Sequence, residues 1–343
     1  MKLIITYGIG TVGGMLFATL NLPLPWILGA VTALLLYKTL AHASTRSSTR
    51  LKNISFALLG IQIGSYFTED TFANMSSYVL PYIALTILLI AISLWNGYII
   101  GKRMGLTPDV SLIGSIPGGL SAATALSDSL QSNTAMVSIL HTIRLITLLF
   151  VVPFIATHWL NGASVDQVYQ SSMEQGEDWT IICLLIAYAL AQLLRERIPA
   201  SYVMIPMLFV AVLKTAGVPV FTIPTSITIV AQVILGVYLG HTIMWKDILT
   251  SMKVCAVYFV LTMWLLFVAF LLSYVFHIVT DVDIPTSFLS IVPGGLVEMA
   301  LVAQSVGADP TMVGSLQMIR LLLVVTLVPF LLKMLLNRAR KIH

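Results

Sequence analysis

Arg144 and Arg320 stand 176 residues apart, each inside a long apolar stretch. Each lies about ten residues into its run, or about 15 Å along a helix axis, close to mid-membrane if the run crosses one. An intramembrane arginine costs at least ~2.5 kcal/mol and must face a partner or a cavity. Two chemistries fit. A guanidinium is a planar fork that meets a carboxylate or other anion with parallel hydrogen bonds, so the pair could bind a small organic anion. Alternatively, each arginine ties its helix to loop carbonyls, or to Glu298 and Asp128. His141 precedes Arg144 by three residues and so shares its helix face. Its counterpart before Arg320 is Gln317, and a side chain that hydrogen-bonds suits both positions better than a proton relay.

Upstream of each arginine lies a helix breaker, Pro117-Gly118-Gly119 before Arg144 and Pro293-Gly294-Gly295 before Arg320. Proline removes a backbone donor and clashes with the preceding turn, while glycine permits backbone angles that other residues avoid. Non-helical backbone at membrane depth persists only where protein or a polar cavity surrounds it. Half-helices starting near Leu120 and Leu296 would then point their N-termini toward the bilayer centre, and such termini attract anions. The candidate substrate-binding set is therefore Pro117, Gly118, Gly119, His141, Arg144, Pro293, Gly294, Gly295, Glu298, Gln317 and Arg320. Glu298 follows the second breaker by three residues, where the first copy has Ala122. That asymmetry suits a proton-coupling carboxylate or a counter-charge to an arginine. Asn133-Thr134 and Asp309-Pro310 have the form of helix N-caps, and Asp128 has that of a solvated loop-end acid.

The elements that must position these residues are themselves duplicated. Residues 117–154 laid on 293–330 without a gap give 14 identities in 38 positions, and the same register pairs Pro23 with Pro199, Gly60 with Gly236 and Gly64 with Gly240. One register across most of each half indicates a duplicated fold. The halves are residues 1–165 and 177–343, with an external linker at 166–176. Gly60-x-x-x-Gly64 and Gly236-x-x-x-Gly240 read as close helix-packing faces.

Composition sets the class. The chain is 58% hydrophobic and 9% charged, against roughly 45–50% and about 25% in soluble proteins. Its long apolar runs fit an all-α polytopic membrane protein. The first twenty residues have a charge-then-apolar pattern but run straight into another apolar segment, so they read as an uncleaved first span. Cys183 and Cys255 both lie in apolar runs, and the six histidines show no metal-ligand spacing. No metal or other cofactor is expected. The basic residues sit in short loops, so no nucleic-acid partner is expected either.

Lysine and arginine concentrate on the cytoplasmic side of membranes and so vote on topology. If 109–130 and 285–306 dip in and return, each half makes five crossings and the second half is inverted. With the N-terminus inside, fifteen loop cations are then cytoplasmic and Lys214 alone is outside. If both segments cross fully, the vote is twelve to four. The charges favour an inverted 5+5 arrangement with both termini cytoplasmic.

The duplicated Pro-Gly-Gly segments, the arginine-bearing helices that follow, and Pro23-x-x-Trp26-x-x-Gly29 together resemble the bacterial AbrB-type membrane family. The second copy of that opening pattern is degenerate, with Tyr202 for Trp26 and Ile205 for Gly29. The resemblance implies an inner-membrane location. Members are labelled as ammonia monooxygenases or as regulators of gene expression. A monooxygenase needs copper or iron ligands, which no cluster here supplies, so no enzyme activity is expected. Inverted five-helix repeats with broken helices resemble secondary transporters in general plan. The functional expectation is a secondary transporter of a small organic anion, coupled to protons, with the lipid bilayer as surroundings. The alternative is a membrane-embedded regulator or sensor. Oligomeric state is left open.

Overall fold

A computed structural model describes residues 2–41, 43–117, 120–160, 181–221, 223–243 and 252–340. Among these residues the chain is helical, with no strand. Fourteen helices follow in order. The first half contains α1 (Lys2–Thr19), α2 (Pro25–Leu40), α3 (Thr49–Ser65), α4 (Glu69–Met104), α5 (Pro108–Ser115), α6 (Leu120–Ser129) and α7 (Thr134–Trp159). The second contains α8 (Ile181–Leu193), α9 (Ser201–Thr215), α10 (Thr225–Thr242), α11 (Met252–Thr280), α12 (Ile284–Ile291), α13 (Leu296–Val306) and α14 (Pro310–Arg340). Both Pro-Gly-Gly segments separate two short helices, as their composition requires. The linker at 166–176 lies outside the described residues.

Among the described residues six helices are long and apolar enough to cross a membrane: α1, the 77–104 part of α4, α7, α10, α11 and the 310–332 part of α14. Shorter apolar helices are α2, α8, α9 and α13. Length is the physical limit, since about 20 helical residues cover a hydrocarbon core and α9 has 15. The protein is a polytopic membrane protein of helical class.

The chain forms two compact units. The first comprises residues 1–76, 153–245 and 297–314. Its helices meet through glycine. A methyl group on Gly60 would sit 2.5 Å from the Val203 carbonyl oxygen, and one on Gly236 would sit 2.6 Å from that of Ile27. Gly64 faces Met207 and Val210, while Gly240 faces Val31 and Leu34. These contacts exchange partners at the duplication offset, so α3 packs on α9 as α10 packs on α2. At the centre of this exchange, Ser55 Oγ donates to the carbonyl of Ala231, its own repeat counterpart, 2.5 Å away. In the same unit α1 and α2 cross where Gly13 and Gly29 bring backbone against backbone, which accounts for the glycine of the opening pattern.

The second unit comprises residues 77–152, 246–296 and 315–343. Its core holds the short helix α5, with Val110, Leu112 and Ile113 buried among Ile90 and Leu94 of α4, Leu140 of α7, Tyr258 and Leu261 of α11 and Val324 and Val328 of α14. α5 can lie this close to α4 because α4 offers Gly97 and Gly101 to Ser115 and Ser111.

Backbone strain also follows the duplication. Left-handed residues pair as Leu24 with Ala200, Gly105 with Asp281, and Gln131 with Gly307, all at positive φ. Only glycine takes that region without cost. Leu24 and Ala200 (φ 45° and 49°) start α2 and α9 at equivalent points despite different residue types.

Candidate functional site

Both broken segments end their first helix for the same reason. Ile116 precedes Pro117 and Val292 precedes Pro293, and a residue before proline is pushed out of the helical region. Ile116 has φ −61° and ψ 126°, and Val292 has φ −56° and ψ 133°. Ending a helix leaves the carbonyls of its last turn without partners from a following turn. Pro117 and Pro293 are buried, so those acceptors need protein donors.

The long helices that follow supply them. On α7, His141 Nε2 lies 3.0 Å from the Ile113 carbonyl oxygen, and Arg144 Nη1 donates to that of Ile116. On α14, Gln317 Nε2 donates to the carbonyls of Leu289 (2.7 Å), Ser290 (3.2 Å) and Val292 (3.1 Å), and Arg320 Nη1 donates to that of Val292. The paired contacts 141–113, 144–116, 317–289 and 320–292 all span 28 residues. Each arginine thus places a cation at the C-terminal end of a short helix, where the helix dipole is negative. Of the roles open to an arginine here, tying its helix to loop carbonyls is visible directly. All four donor side chains are buried.

In the first cluster the two donor side chains also meet each other. Arg144 Nη2 lies 2.8 Å from His141 Nδ1. With Nε2 donating to a carbonyl and Nδ1 accepting from a guanidinium, the imidazole holds one proton and has no free position for a second. That geometry fits hydrogen bonding rather than proton relay. Arg320 Nη2 donates to the Gly294 carbonyl. Gln317 Oε1, which occupies the role of His141 Nδ1, is buried without a hydrogen-bond partner.

The remaining residues of the set fall as follows. Gly118 and Gly119 lie outside the described residues. Gly294 is half-buried and Gly295 exposed. Glu298 is half-buried in the first turn of α13, where a carboxylate offsets the positive end of the helix dipole. It belongs to the first unit, whereas both arginines belong to the second. Asp128 is exposed and accepts from Thr134 Oγ1 at 2.6 Å. Asn133 accepts from the Met136 N–H and Asp309 from the Thr311 and Met312 N–H groups, so both act as N-caps.

Three residues outside the set also hold the broken segments. Tyr82 donates to the Ser290 carbonyl at 3.0 Å, Tyr258 to that of Ser111 at 3.5 Å, and Ser93 to that of Ser115 at 2.6 Å. Tyr82 and Tyr258 are counterparts at the 176 offset. Each reaches the broken segment of the other half, and their identity in the aligned halves was the signal that could have found them.

The chain is similar to known proteins over most of its length. A family model described as transition state regulatory protein AbrB matches residues 26–336. The uncharacterized protein YhjN of Bacillus subtilis (strain 168) is 24% identical over 350 residues, covering 94% of this chain and 90% of its own length. A protein of Escherichia coli (strain K12) named "Putative regulator AbrB" is 23% identical over 317 residues, covering 89% and 88%. Neither relative carries an enzyme name.

Proposed function

The chain belongs to the AbrB family, and we propose that it works there as a secondary transporter of a small organic anion. The observation that carries this reading is the recurrence, at one sequence offset, of a buried arginine beside a proline-broken helix. Broken helices at membrane depth persist only where protein or a cavity surrounds them, and transporters use them to present backbone groups to a solute. Arg320 spends two of its five N–H donors on carbonyls, leaving others for an anion. Glu298 is the residue we assign to proton coupling, because it is the carboxylate that the first repeat lacks.

The same reading has ten crossings and two re-entrant segments, α5–α6 and α12–α13. The halves are inverted, and both termini face the cytoplasm of a bacterial inner membrane. The test is uptake into proteoliposomes of purified protein, with radiolabelled mono- and dicarboxylates and an imposed pH gradient. Saturable uptake that falls when the gradient is collapsed is expected. Absence of uptake across a broad anion panel, with the protein folded, would remove the transport reading.

A second reading is a membrane-embedded regulator that binds a ligand or partner without moving it. The printed descriptions of the family and of the Escherichia coli relative favour it. It is the conclusion to draw if anions raise the melting temperature of the protein yet do not cross with it.

A further inference from the structure

The first unit carries a cationic surface that the transport reading does not use. Residues 1–68 contain no aspartate or glutamate but hold Lys2, Lys38, Arg46, Arg50 and Lys52. Two of these cations are spent inside the fold. Lys38 Nζ donates to the carbonyls of Gly240, His241 and Ile243, capping the C-terminal end of α10. Lys52 Nζ sits over the Tyr238 ring, 4.8 Å from its centre. Arg46 and Arg50 are exposed.

The segment that presents them is held at Ser44, Thr45, Arg46 and Ser48. Lys2 Nζ donates to Ser44 Oγ at 3.0 Å, and Thr45 Oγ1 lies 2.8 Å from His241 Nδ1. The Arg46 N–H donates to Thr6 Oγ1 and the Ser48 N–H to the Tyr7 hydroxyl. Ser48 in turn caps α3, whose first turn contains no acid. A loop tied to α1, α3 and α10 in this way fixes the backbone that carries Arg46 and leads into α3, so a ligand there orders only side chains.

What lies beside these cations identifies the ligand. At the same end of α1 and α2, Ile4 (75% exposed), Leu36 (55%) and Leu40 (79%) face outward. Exposed arginines at a helix end that also exposes apolar side chains match a molecule with a phosphate head and a hydrocarbon tail. A free phosphate would make no use of the apolar side chains.

We infer that the α2–α3 loop and the first turn of α3, through Arg46 and Arg50, form a binding site for the headgroup of an anionic phospholipid. The site is independent of whether the protein transports anything. A basic residue at a membrane surface contributes about a five-fold gain in affinity for anionic lipid, so losing both arginines should weaken binding roughly 25-fold.

The test uses full-length protein in detergent, titrated with phosphatidylglycerol or phosphatidylcholine and read by native mass spectrometry. Wild type should retain phosphatidylglycerol in preference. Arg46→Gln/Arg50→Gln should lose that preference, whereas Arg46→Lys/Arg50→Lys should keep most of it. The exposed pair Arg195→Gln/Arg197→Gln, whose Arg195 already lies 3.6 Å from Glu196, is the control for general surface charge and should lose clearly less. Millimolar inorganic phosphate should not displace the lipid. The inference is overturned if the Arg46/Arg50 glutamine variant binds phosphatidylglycerol like wild type, if the Arg195/Arg197 variant loses as much, or if phosphate alone competes.

Discussion

Replacing Arg320 separates a helix cap from a substrate site, and the structure fixes the sign of each outcome. Arg320→Gln removes two charge-assisted bonds, to the carbonyls of Val292 and Gly294. At about 1.5–3 kcal/mol for each bond to a charged group, the loss is about 3–6 kcal/mol. Removing a buried charge returns about 2.5–3.5 kcal/mol, so the net destabilisation should be about 2 kcal/mol. Arg320→Lys keeps the charge and its burial cost, yet an ammonium cannot span both carbonyls as the planar fork does. Losing one such bond without relief costs about 1.5–3 kcal/mol. Lysine should therefore destabilise as much as glutamine, against the usual ordering of conservative substitutions. The assay is thermal or denaturant unfolding of purified protein in detergent, with and without a panel of organic anions. If both variants melt with wild type, the carbonyl bonds contribute nothing and the cap reasoning is refuted. If both melt with wild type and lose an anion-induced shift, Arg320 acts on substrate alone.

Three further outcomes follow from the same geometry. Gln317→His should give Arg320 Nη2 the acceptor that His141 gives Arg144, raising stability by up to about 1 kcal/mol, whereas Gln317→Leu strands the Leu289 carbonyl and should cost about 1–3 kcal/mol; melting curves decide between them. Asp128→Asn should not rescue an unstable Arg144→Gln, because the Asp128 carboxylate is exposed and engaged by Thr134; recovery of melting temperature in the double variant would contradict this. Gly60→Ala and Gly236→Ala should each cost about 1–3 kcal/mol by overpacking, since their methyl groups would meet backbone oxygen at 2.5 and 2.6 Å, while Gly8→Ala, with nothing within 4 Å, should be neutral or stabilising in the same assay.

Much of this was legible before any coordinates. Pro117 and Pro293 announced where helices stop, since proline acts on its own neighbour and needs no tertiary context. Asn133 and Asp309 announced where the next helices start, for the same local reason. The offset of 176 announced that equivalent residues would do equivalent work, and Arg144 and Arg320 do. What the sequence left open was the identity of their partners. Glu298 and Asp128 stood out as the acids available to two arginines, but the acceptors of Ile116, Val292 and Gly294 are backbone oxygens, which every residue carries and no pattern marks. Tyr82 and Tyr258 escaped notice because a tyrosine in an apolar run resembles ordinary core until its hydroxyl is seen to reach a carbonyl. The left-handed conformation of Leu24 was equally invisible, because nothing in that residue type favours it.

The exchanged glycine contacts between α3 and α9 have a consequence for the order of events during synthesis. The backbone groove at Gly60 and Gly64 is complementary to Val203 and Met207, which are translated about 140 residues later. At about 5–20 residues per second, that interval is roughly 7–30 s. Through that time the nascent first half holds a helix whose close-packing face has no mate, within a bilayer shared with other half-finished copies. Two such chains could trade helices, each completing the other, because the face that awaits the second repeat is equally open to a neighbour's second repeat. Slow elongation between codons 76 and 200 would lengthen that window. A chain split after Leu160 and co-expressed as two fragments should assemble, since the joint between the halves is held by packing and not by the peptide that links them.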